Sequence, residues 1–320
     1  MRPEIFVTRA IPEEGLELLR EAGFEVEVNP EDRPLTHAEL VEAVRGRKGL
    51  LCLLSDRMDA EVLEAARGAR GIALYAVGYD NVDLETAARL GIPVTNTPGV
   101  LTVATAELAW ALLFAAARRV VEADRYLREG RWTGWGPMLL RGFEVSGRTL
   151  GVVGAGRIGE TFALGGKGFG MRVLYCDPSP NVRLESELGA RRVPLPELLA
   201  ESDFVSLHLP YTPRTHHLIG AAELGLMKPT AVLINTARGK VVDEAALETA
   251  LARRAIGAAG LDVYEDEPHP RQGLLALDNA VLLPHIASAT YPARGAMAVM
   301  AAKNLLCMLR GEEPPDLVQP

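Results

Sequence analysis

Short runs of apolar and β-branched residues alternate with longer stretches of helical periodicity along nearly the whole chain, and this alternation constrains the fold more than any other feature. Two neighbouring strands joined by a helix run parallel, because a parallel pair needs a long crossover connection. The pattern therefore predicts an α/β fold with parallel sheets. The predicted strands are residues 4–8, 25–29, 49–54, 72–76, 93–96, 149–153, 172–175, 204–207, 231–235, 258–262 and 280–283.

The length and several chain features indicate how this fold is divided. A chain of 320 residues suggests two domains at ~150 residues each. Thr97-Pro98-Gly99 interrupts the pattern, and residues 102–129 predict one long helix that links two domains. A second series of strands starts at residue 149, and a last helix is predicted over residues 292–309. If this last helix packs against the first domain, the second domain is an insertion in the first.

The composition excludes several classes of protein. With 34 basic and 42 acidic residues the net charge is −8, so bulk charge favours neither nucleic acid nor an anionic membrane as a partner. The longest uninterrupted apolar stretch, residues 108–117, is far shorter than the ~20 residues that a transmembrane helix needs. Three cysteines without metal-ligand spacing predict neither a disulfide framework nor a metal site. We expect a cytoplasmic protein without nucleic-acid or membrane partners.

A glycine-rich turn follows the predicted strand at residues 149–153. Gly154, Gly156 and Gly159 form a G-x-G-x-x-G motif between this strand and a predicted helix. The first glycine permits the tight turn, the second lets the backbone approach a pyrophosphate, and the third lets the helix pack close to the strand. Asp177 follows the next strand, 18 residues after Gly159, where an acid can hydrogen-bond a ribose 2′-hydroxyl. The motif predicts dinucleotide binding, and Asp177 favours NAD because a carboxylate repels the 2′-phosphate of NADP.

Three polar side chains, Arg238, Glu267 and His285, each follow a late predicted strand, at the sheet edge where α/β folds bind ligands. These are the groups that reduction of a 2-oxo acid requires. A guanidinium binds carboxylate and ketone oxygens, an imidazolium donates the proton to the new hydroxyl, and a carboxylate orients that imidazole. His208 lies at another strand end, and we interpret it as a structural histidine rather than an acid.

Taken together, the motifs resemble those of the D-isomer-specific 2-hydroxyacid dehydrogenase family, most of all its glyoxylate reductase/hydroxypyruvate reductase branch. The resemblance covers essentially the whole chain and is carried by residues 49–56, 77–83, 97–102, 154–159, 235–239, 260–268 and 283–290. It implies two doubly wound parallel-sheet domains. A Rossmann-type nucleotide domain, residues 99–288, would be inserted into a discontinuous flavodoxin-like substrate domain made of residues 1–98 and 289–320. It also implies a homodimer.

The resemblance assigns roles to individual residues. Arg238, Glu267 and His285 would be the catalytic set. The backbone N–H groups of Val77 and Gly78 would hold the substrate carboxylate, and Ser288 would complete the substrate-binding set with Arg238 and His285. Cofactor contacts would come from Thr105, Gly154, Gly156, Arg157, Ile158, Gly159, Asp177, Pro210, Thr236, Asp262 and Ala287.

The implied activity is reduction of glyoxylate or hydroxypyruvate to glycolate or D-glycerate, by hydride transfer from NADH or NADPH. Two residues depart from the branch. Asp177 stands where basic residues often occur, which favours NAD while NADP stays possible, and Ala287 replaces a common glycine. D-3-phosphoglycerate dehydrogenase and D-lactate dehydrogenase are alternatives within the family, whereas Glu267 disfavours formate dehydrogenase. A nucleotide-sensing corepressor that binds peptides is the alternative from another class, and the intact catalytic set disfavours it.

Overall fold

The computed structural model describes residues 4–319, in which strands and helices alternate along the chain. The strands are β1 (Ile5–Val7), β2 (Val26–Val28), β3 (Gly49–Cys52), β4 (Gly71–Leu74), β5 (Val94–Thr95), β6 (Thr149–Val153), β7 (Arg172–Cys176), β8 (Arg191–Arg192), β9 (Phe204–Leu207), β10 (Val232–Asn235), β11 (Ala258–Leu261) and β12 (Ala280–Leu282). The helices are α1 (Glu13–Glu21), α2 (His37–Val44), α3 (Ala60–Ala65), α4 (Leu84–Arg89), α5 (Thr102–Ala117), α6 (Val120–Arg128), α7 (Arg157–Gly165), α8 (Val182–Leu188), α9 (Leu195–Glu201), α10 (Ala221–Leu226), α11 (Glu244–Ala252), α12 (Gln272–Leu275) and α13 (Tyr291–Arg310).

Two compact units share these elements. Unit 1 contains the described residues up to Leu101 together with those from Ser288 onward, and unit 2 is Thr102–Ala287. Each unit contains one parallel sheet, so the predicted α/β fold class is confirmed. Residues 1–3 and 320, which fall in the predicted substrate domain, lie outside the described residues. None of the helices in residues 4–319 is both long and apolar enough to cross a membrane.

Unit 1 is built on a five-stranded sheet of order β2-β1-β3-β4-β5, which is the flavodoxin-like order. Its last helix, α13, packs against α1, β3 and β4, so the polypeptide returns to this unit after leaving it. The close approach of α13 to the rest of unit 1 depends on glycine at two points. A Cβ at Gly15 would lie 2.6 Å from the carbonyl oxygen of Ala298, and a Cβ at Gly71 would clash with the side chain of Met308.

Unit 2 is built on a seven-stranded sheet of order β12-β11-β10-β9-β6-β7-β8. Its chain order reverses between β6 and β9, which is the point where doubly wound sheets bind ligands. Apolar side chains cover both faces of the sheet. In β10, Val232 and Ile234 belong to the core on one face and Leu233 to the core on the other. This explains why its strands read as continuous apolar runs rather than as alternating ones.

The single helix predicted over residues 102–129 is wrong, because the structure has two helices there, α5 and α6. The backbone of Arg119 between them is left-handed, with φ 55°. The N–H of Phe143 donates to the carbonyl oxygen of Ala117 at 2.8 Å and so satisfies a carbonyl that a continuous helix would have bonded itself. Arg119 in turn donates to the carboxylate of Glu122 at 2.7 Å. The break is therefore set by a distant backbone contact that helical periodicity does not encode.

Strand β8 was not among the predicted strands. It has only two residues, Arg191 and Arg192, which are both exposed at the edge of the unit 2 sheet. Charged residues on a short edge strand protect a sheet from pairing with other chains, but they give no apolar signal in the sequence.

Candidate active site

The glycine-rich turn connects β6 to α7 in unit 2. Gly154 has φ +90°, and a Cβ there would lie 2.5 Å from the carbonyl oxygen of His208. A Cβ at Gly159 would overlap the carbonyl oxygen of Gly154, so any side chain would push α7 off the strand. A Cβ at Gly156, in contrast, would meet no atom within 4 Å. The backbone at Gly156 is thus open at the N-terminus of α7, where backbone N–H groups can bind a phosphate.

Asp177 follows β7 and lies beside this turn. Its Oδ2 accepts a hydrogen bond from the N–H of Ala155 at 2.8 Å, and its Oδ1 accepts one from the N–H of Ser179 at 2.9 Å. Each carboxylate oxygen can accept a second hydrogen bond. The structure therefore joins Asp177 to the glycine-rich turn and leaves it able to accept from a hydroxyl. Arg192 donates to the carbonyl oxygens of Asp177 and Pro178 from the next strand.

Arg238 lies in a turn that Asn235 builds at the end of β10. The side chain of Asn235 accepts from the N–H of Ala237 and donates to the carbonyl oxygen of Arg238, both at 3.0 Å. The guanidinium of Arg238 donates to the carbonyl oxygen of Ala237 at 2.8 Å. A Cβ at Gly239 would overlap the carbonyl group of Tyr264, so only glycine lets this turn approach the loop that carries Glu267.

Glu267 and His285 form a hydrogen-bonded pair at the ends of β11 and β12. Nδ1 of His285 lies 2.8 Å from Oε2 of Glu267, and the other carboxylate oxygen accepts from the N–H of Tyr264 at 3.1 Å. Burial opposes the charge of Glu267, but the hydrogen bond to His285 and the charges of His285 and Arg238 outweigh it, so the pKa of Glu267 lies below its usual value. Within residues 4–319, Nε2 of His285 has no hydrogen-bond partner. The pair therefore offers one anchored nitrogen and one available nitrogen.

Asp262 fixes the backbone that follows His285. Its two carboxylate oxygens accept from the N–H groups of Ile286 and Ala287 at 2.8 and 2.7 Å. Burial raises the pKa of Asp262, although these two hydrogen bonds act in the opposite direction. The backbone of His285 itself is left-handed, with φ 55°. This conformation is uncommon for a residue other than glycine, and here Asp262 holds the backbone that follows His285 while Glu267 holds its side chain.

The remaining predicted cofactor residues are spread over unit 2. Thr105 is buried in α5, Pro210 is exposed in the loop after β9, and Ala287 is buried beyond β12. Thr236 is buried after β10, and its Oγ1 has no hydrogen-bond partner within residues 4–319. Thr236 lies next to the Arg238 turn, and Ala287 lies next to the Glu267–His285 pair.

The predicted substrate residues Val77, Gly78 and Ser288 belong to unit 1. Val77 and Gly78 form a half-buried turn after β4. Within residues 4–319 neither of their backbone N–H groups finds an acceptor. Ser288 precedes α13, and its carbonyl oxygen accepts from the N–H of Thr290 at 2.8 Å. The turn after β4 therefore presents two adjacent backbone donors.

The sequence argument missed the residues that hold the predicted site in place. Tyr264 donates from its hydroxyl to the carbonyl oxygen of Leu283 at 2.8 Å and so ties the Glu267 loop to the segment before His285. Glu244 is buried and accepts from the N–H of Glu265 at 2.8 Å. Burial raises the pKa of Glu244. Only their position near Arg238 and Glu267 in the sequence could have indicated them.

Comparison with known proteins gives a family-model match to part of the chain and relatives that match nearly all of it. Residues 110–287 match the family model of the D-isomer specific 2-hydroxyacid dehydrogenase, NAD binding domain. The chain is 54% identical over 320 residues to a glyoxylate reductase of Korarchaeum cryptofilum, covering 99% of this chain and 96% of that protein. It is also similar to a Thermus thermophilus protein of known structure, with 50% identity and a TM-score of 0.92 over 98% of this chain and 99% of that one. A third structure is an NADPH-dependent glyoxylate/hydroxypyruvate reductase of Sinorhizobium meliloti in complex with NADP and malonate, with 35% identity and a TM-score of 0.86 over 99% and 97% of the two chains.

Proposed function

The chain belongs to the D-isomer-specific 2-hydroxyacid dehydrogenases, and on that basis we propose that it reduces glyoxylate or hydroxypyruvate to glycolate or D-glycerate. It is an NAD(P)-dependent dehydrogenase. The observation that best supports the proposed chemistry is the Glu267–His285 hydrogen bond, at 2.8 Å, with the far nitrogen of the imidazole available. We assign dinucleotide binding to unit 2, and we assign part of the substrate-binding set, Val77, Gly78 and Ser288, to unit 1.

His285 is the proposed proton donor. A bound reduced nicotinamide supplies the hydride that reaches the carbonyl carbon. In the same reaction Nε2 of the protonated imidazole donates a proton to the carbonyl oxygen, which becomes the hydroxyl. The carboxylate of Glu267 accepts from Nδ1 and stabilises the positive charge of the imidazolium. In the reverse direction the neutral imidazole takes the proton from the hydroxyl of the 2-hydroxy acid.

The substrate carboxylate needs positive or donor groups, since the protein as a whole carries a net charge of −8. Arg238 supplies a fixed guanidinium that can donate to the carboxylate and the ketone oxygen. The backbone N–H groups of Val77 and Gly78 supply two further donors, because neither bonds within the described residues. Ser288 completes the proposed substrate-binding set. Anion attraction is thus local and works against the overall charge.

The glycine-rich turn fits a dinucleotide, because the backbone at Gly156 is open and α7 begins there without a side-chain cap. We propose that NADH is preferred over NADPH. The carboxylate of Asp177 can accept from an adenosine ribose 2′-hydroxyl, whereas it would repel a 2′-phosphate. Arg192 beside it already donates to two backbone carbonyls. The preference is tested by comparing kcat/KM for the two cofactors with one substrate.

The decisive experiment uses a panel of glyoxylate, hydroxypyruvate, pyruvate and phosphohydroxypyruvate with both cofactors. The two D-2-hydroxyacid alternatives, D-lactate and D-3-phosphoglycerate dehydrogenase, would turn over pyruvate or phosphohydroxypyruvate best. The His285→Ala variant should lose ~10²- to 10⁴-fold in kcat, the usual share of a general acid, while its cofactor dissociation constant stays near the wild-type value. Near-normal turnover by this variant would refute the assignment of His285. A wild-type protein that turns over none of the four acids but captures peptides would instead support the corepressor alternative.

We also propose that the enzyme is a homodimer that pairs through unit 2. Seven large apolar side chains are exposed within twenty residues of α6 and the segment after it: Val120, Val121, Leu127, Trp132, Trp135, Met138 and Leu139. Trp135 is 85% exposed, which is costly for a large aromatic ring unless a partner covers it. Light scattering of wild type and Trp135→Ser tests the idea, and a wild-type monomer at assay concentrations would refute it.

The three cysteines are free in the structure, which supports the proposed cytoplasmic location.

A further inference from the structure

The segment that follows β5 forms hydrogen bonds with one side of the turn that contains Val77 and Gly78. The side-chain Nδ2 of Asn96 donates to the carbonyl oxygen of Val77 at 2.7 Å. The backbone N–H of the next residue, Thr97, donates to the carbonyl oxygen of Ala76 at 2.8 Å. Two successive carbonyl groups of the turn are therefore bonded to two successive residues of one segment.

These two bonds set the direction of the N–H groups on the opposite side of the turn. In a trans peptide the C=O of one residue and the N–H of the next point in opposite directions. The carbonyl of Ala76 and the N–H of Val77 share one peptide plane, and the carbonyl of Val77 and the N–H of Gly78 share the next. Because both carbonyls face Asn96 and Thr97, both N–H groups point away from them.

We propose that Asn96 is a positioning residue that aims the backbone N–H of Gly78 at the substrate carboxylate. This inference rests on the proposed function, in which Val77 and Gly78 bind that carboxylate. Thr97 aims the neighbouring N–H through its backbone, so a side-chain substitution does not remove that bond. The Gly78 donor, in contrast, depends on one side-chain amide.

Asn96 is itself held by the last helix of unit 1 and the segment beyond it. Nδ2 of Asn304, in α13, donates to the carbonyl oxygen of Asn96 at 3.2 Å and to Oδ2 of Asp316 at 3.1 Å. The N–H of Asn96 donates to the carbonyl oxygen of Asp316 at 3.3 Å, and the N–H of Val318 donates to the carbonyl oxygen of Val94 at 2.8 Å. Asn304 is fully buried. The segment around Asp316 therefore pairs with the edge strand β5 and fixes Asn96 from behind.

The test compares Asn96→Ala with Asn279→Ala. Asn279 is a matched control in unit 2, since its Nδ2 also donates to backbone carbonyls, those of Leu251 and Gly257, at 3.2 Å. A misdirected donor to a charged group costs affinity rather than chemistry, so Asn96→Ala should raise KM for glyoxylate by about 10- to 100-fold and change kcat little. The dissociation constant of oxalate, measured by calorimetry with reduced cofactor present, should rise by a similar factor. Cofactor binding should stay at the wild-type value, and Asn279→Ala should change none of these quantities.

Unchanged KM and oxalate affinity in a folded Asn96→Ala protein would overturn the inference, and so would equal effects in both variants. If Asn96→Ala does not fold, Asp316→Ala decides, because it removes only an acceptor of Asn304. That variant should raise KM in the same direction by a smaller factor, and a wild-type KM there would overturn the inference. A wild-type enzyme that reduces none of the 2-oxo acids would instead refute the proposed function, so the two failures are distinguishable.

Discussion

His208 makes the stability of unit 2 depend on pH in a way that can be calculated. Its Nε2 lies 2.8 Å from Oγ of Ser206, while its Nδ1 is buried without a partner among the described residues. Burial lowers the pKa of His208 from 6.5 to about 3. Between these two values the unfolded chain binds a proton that the folded chain does not, so the free energy of unfolding decreases as the pH falls through this window. At pH 5 the pH lies 1.5 units below 6.5, which corresponds to about 2 kcal/mol at 1.36 kcal/mol per unit.

The variant His208→Gln removes this dependence, because an amide stays neutral and can still hydrogen-bond Ser206. Chemical denaturation of both proteins at pH 7 and pH 5 gives the difference directly, and contributions from other titrating groups cancel between them. We expect wild type to lose about 2 kcal/mol more than the variant between these pH values, in the transition that reports unit 2. The exposed His216 provides the control variant His216→Gln, which should behave as wild type. Equal losses in wild type and His208→Gln would refute the reasoning.

Three further predictions follow from single contacts. Asp177→Ser should shift the ratio of kcat/KM values toward NADPH by about 10- to 100-fold, since it removes a charge that repels a 2′-phosphate, and an unchanged ratio in steady-state assays would contradict the role of Asp177. Gly165→Ala should lower the free energy of unfolding by about 1–3 kcal/mol in urea denaturation, because its Cβ would lie 2.5 Å from Nε1 of Trp110. Gly168→Ala is the control, since the space around its Cβ is open and this clash should be absent. The pKa of Glu267 is lowered in the folded protein, so the stability that this residue contributes is present above pH 4.5 and is lost as the pH falls below that value. Between pH 6 and pH 4, the free energy of unfolding of Glu267→Gln should therefore decrease less than that of wild type. Equal decreases in the two proteins would argue against the ion pair.

Local pattern predicted the fold because parallel sheets covered on both faces need continuous apolar strands, and such strands are visible in the sequence. The break between α5 and α6 was missed because a backbone contact from Phe143 creates it. Four glycines crowd the end of α7 and the segment after it, and the sequence gives no reason for them: Gly165, Gly166, Gly168 and Gly170. The structure supplies one for Gly165, which packs against the ring of Trp110.

The sequence predicted those residues of the candidate site that combine a reactive side chain with a position at a strand end. It did not predict residues that act only by holding another residue in place. Glu267 and His285 follow adjacent strands of the same sheet, so the pattern could bring them together, and the structure joins them by a hydrogen bond. Asn96 gives no such signal. Its proposed role depends on the direction of its side-chain amide relative to the carbonyl of Val77, which is a property of the three-dimensional structure and not of the local sequence.

The insertion of unit 2 between the two parts of unit 1 has a consequence for synthesis on the ribosome. The strands β3 and β4 are covered by α13, but the 186 residues of Thr102–Ala287 are translated before that helix. At ~5–20 residues per second this takes roughly 10–40 s, during which the nascent sheet of unit 1 lacks one of its covering helices. Unit 2 is contiguous and can complete its core within that interval. Unit 2 begins later in the chain than unit 1 but can therefore finish folding first. Until α13 is translated, unit 1 has a period in which a chaperone could bind its exposed sheet.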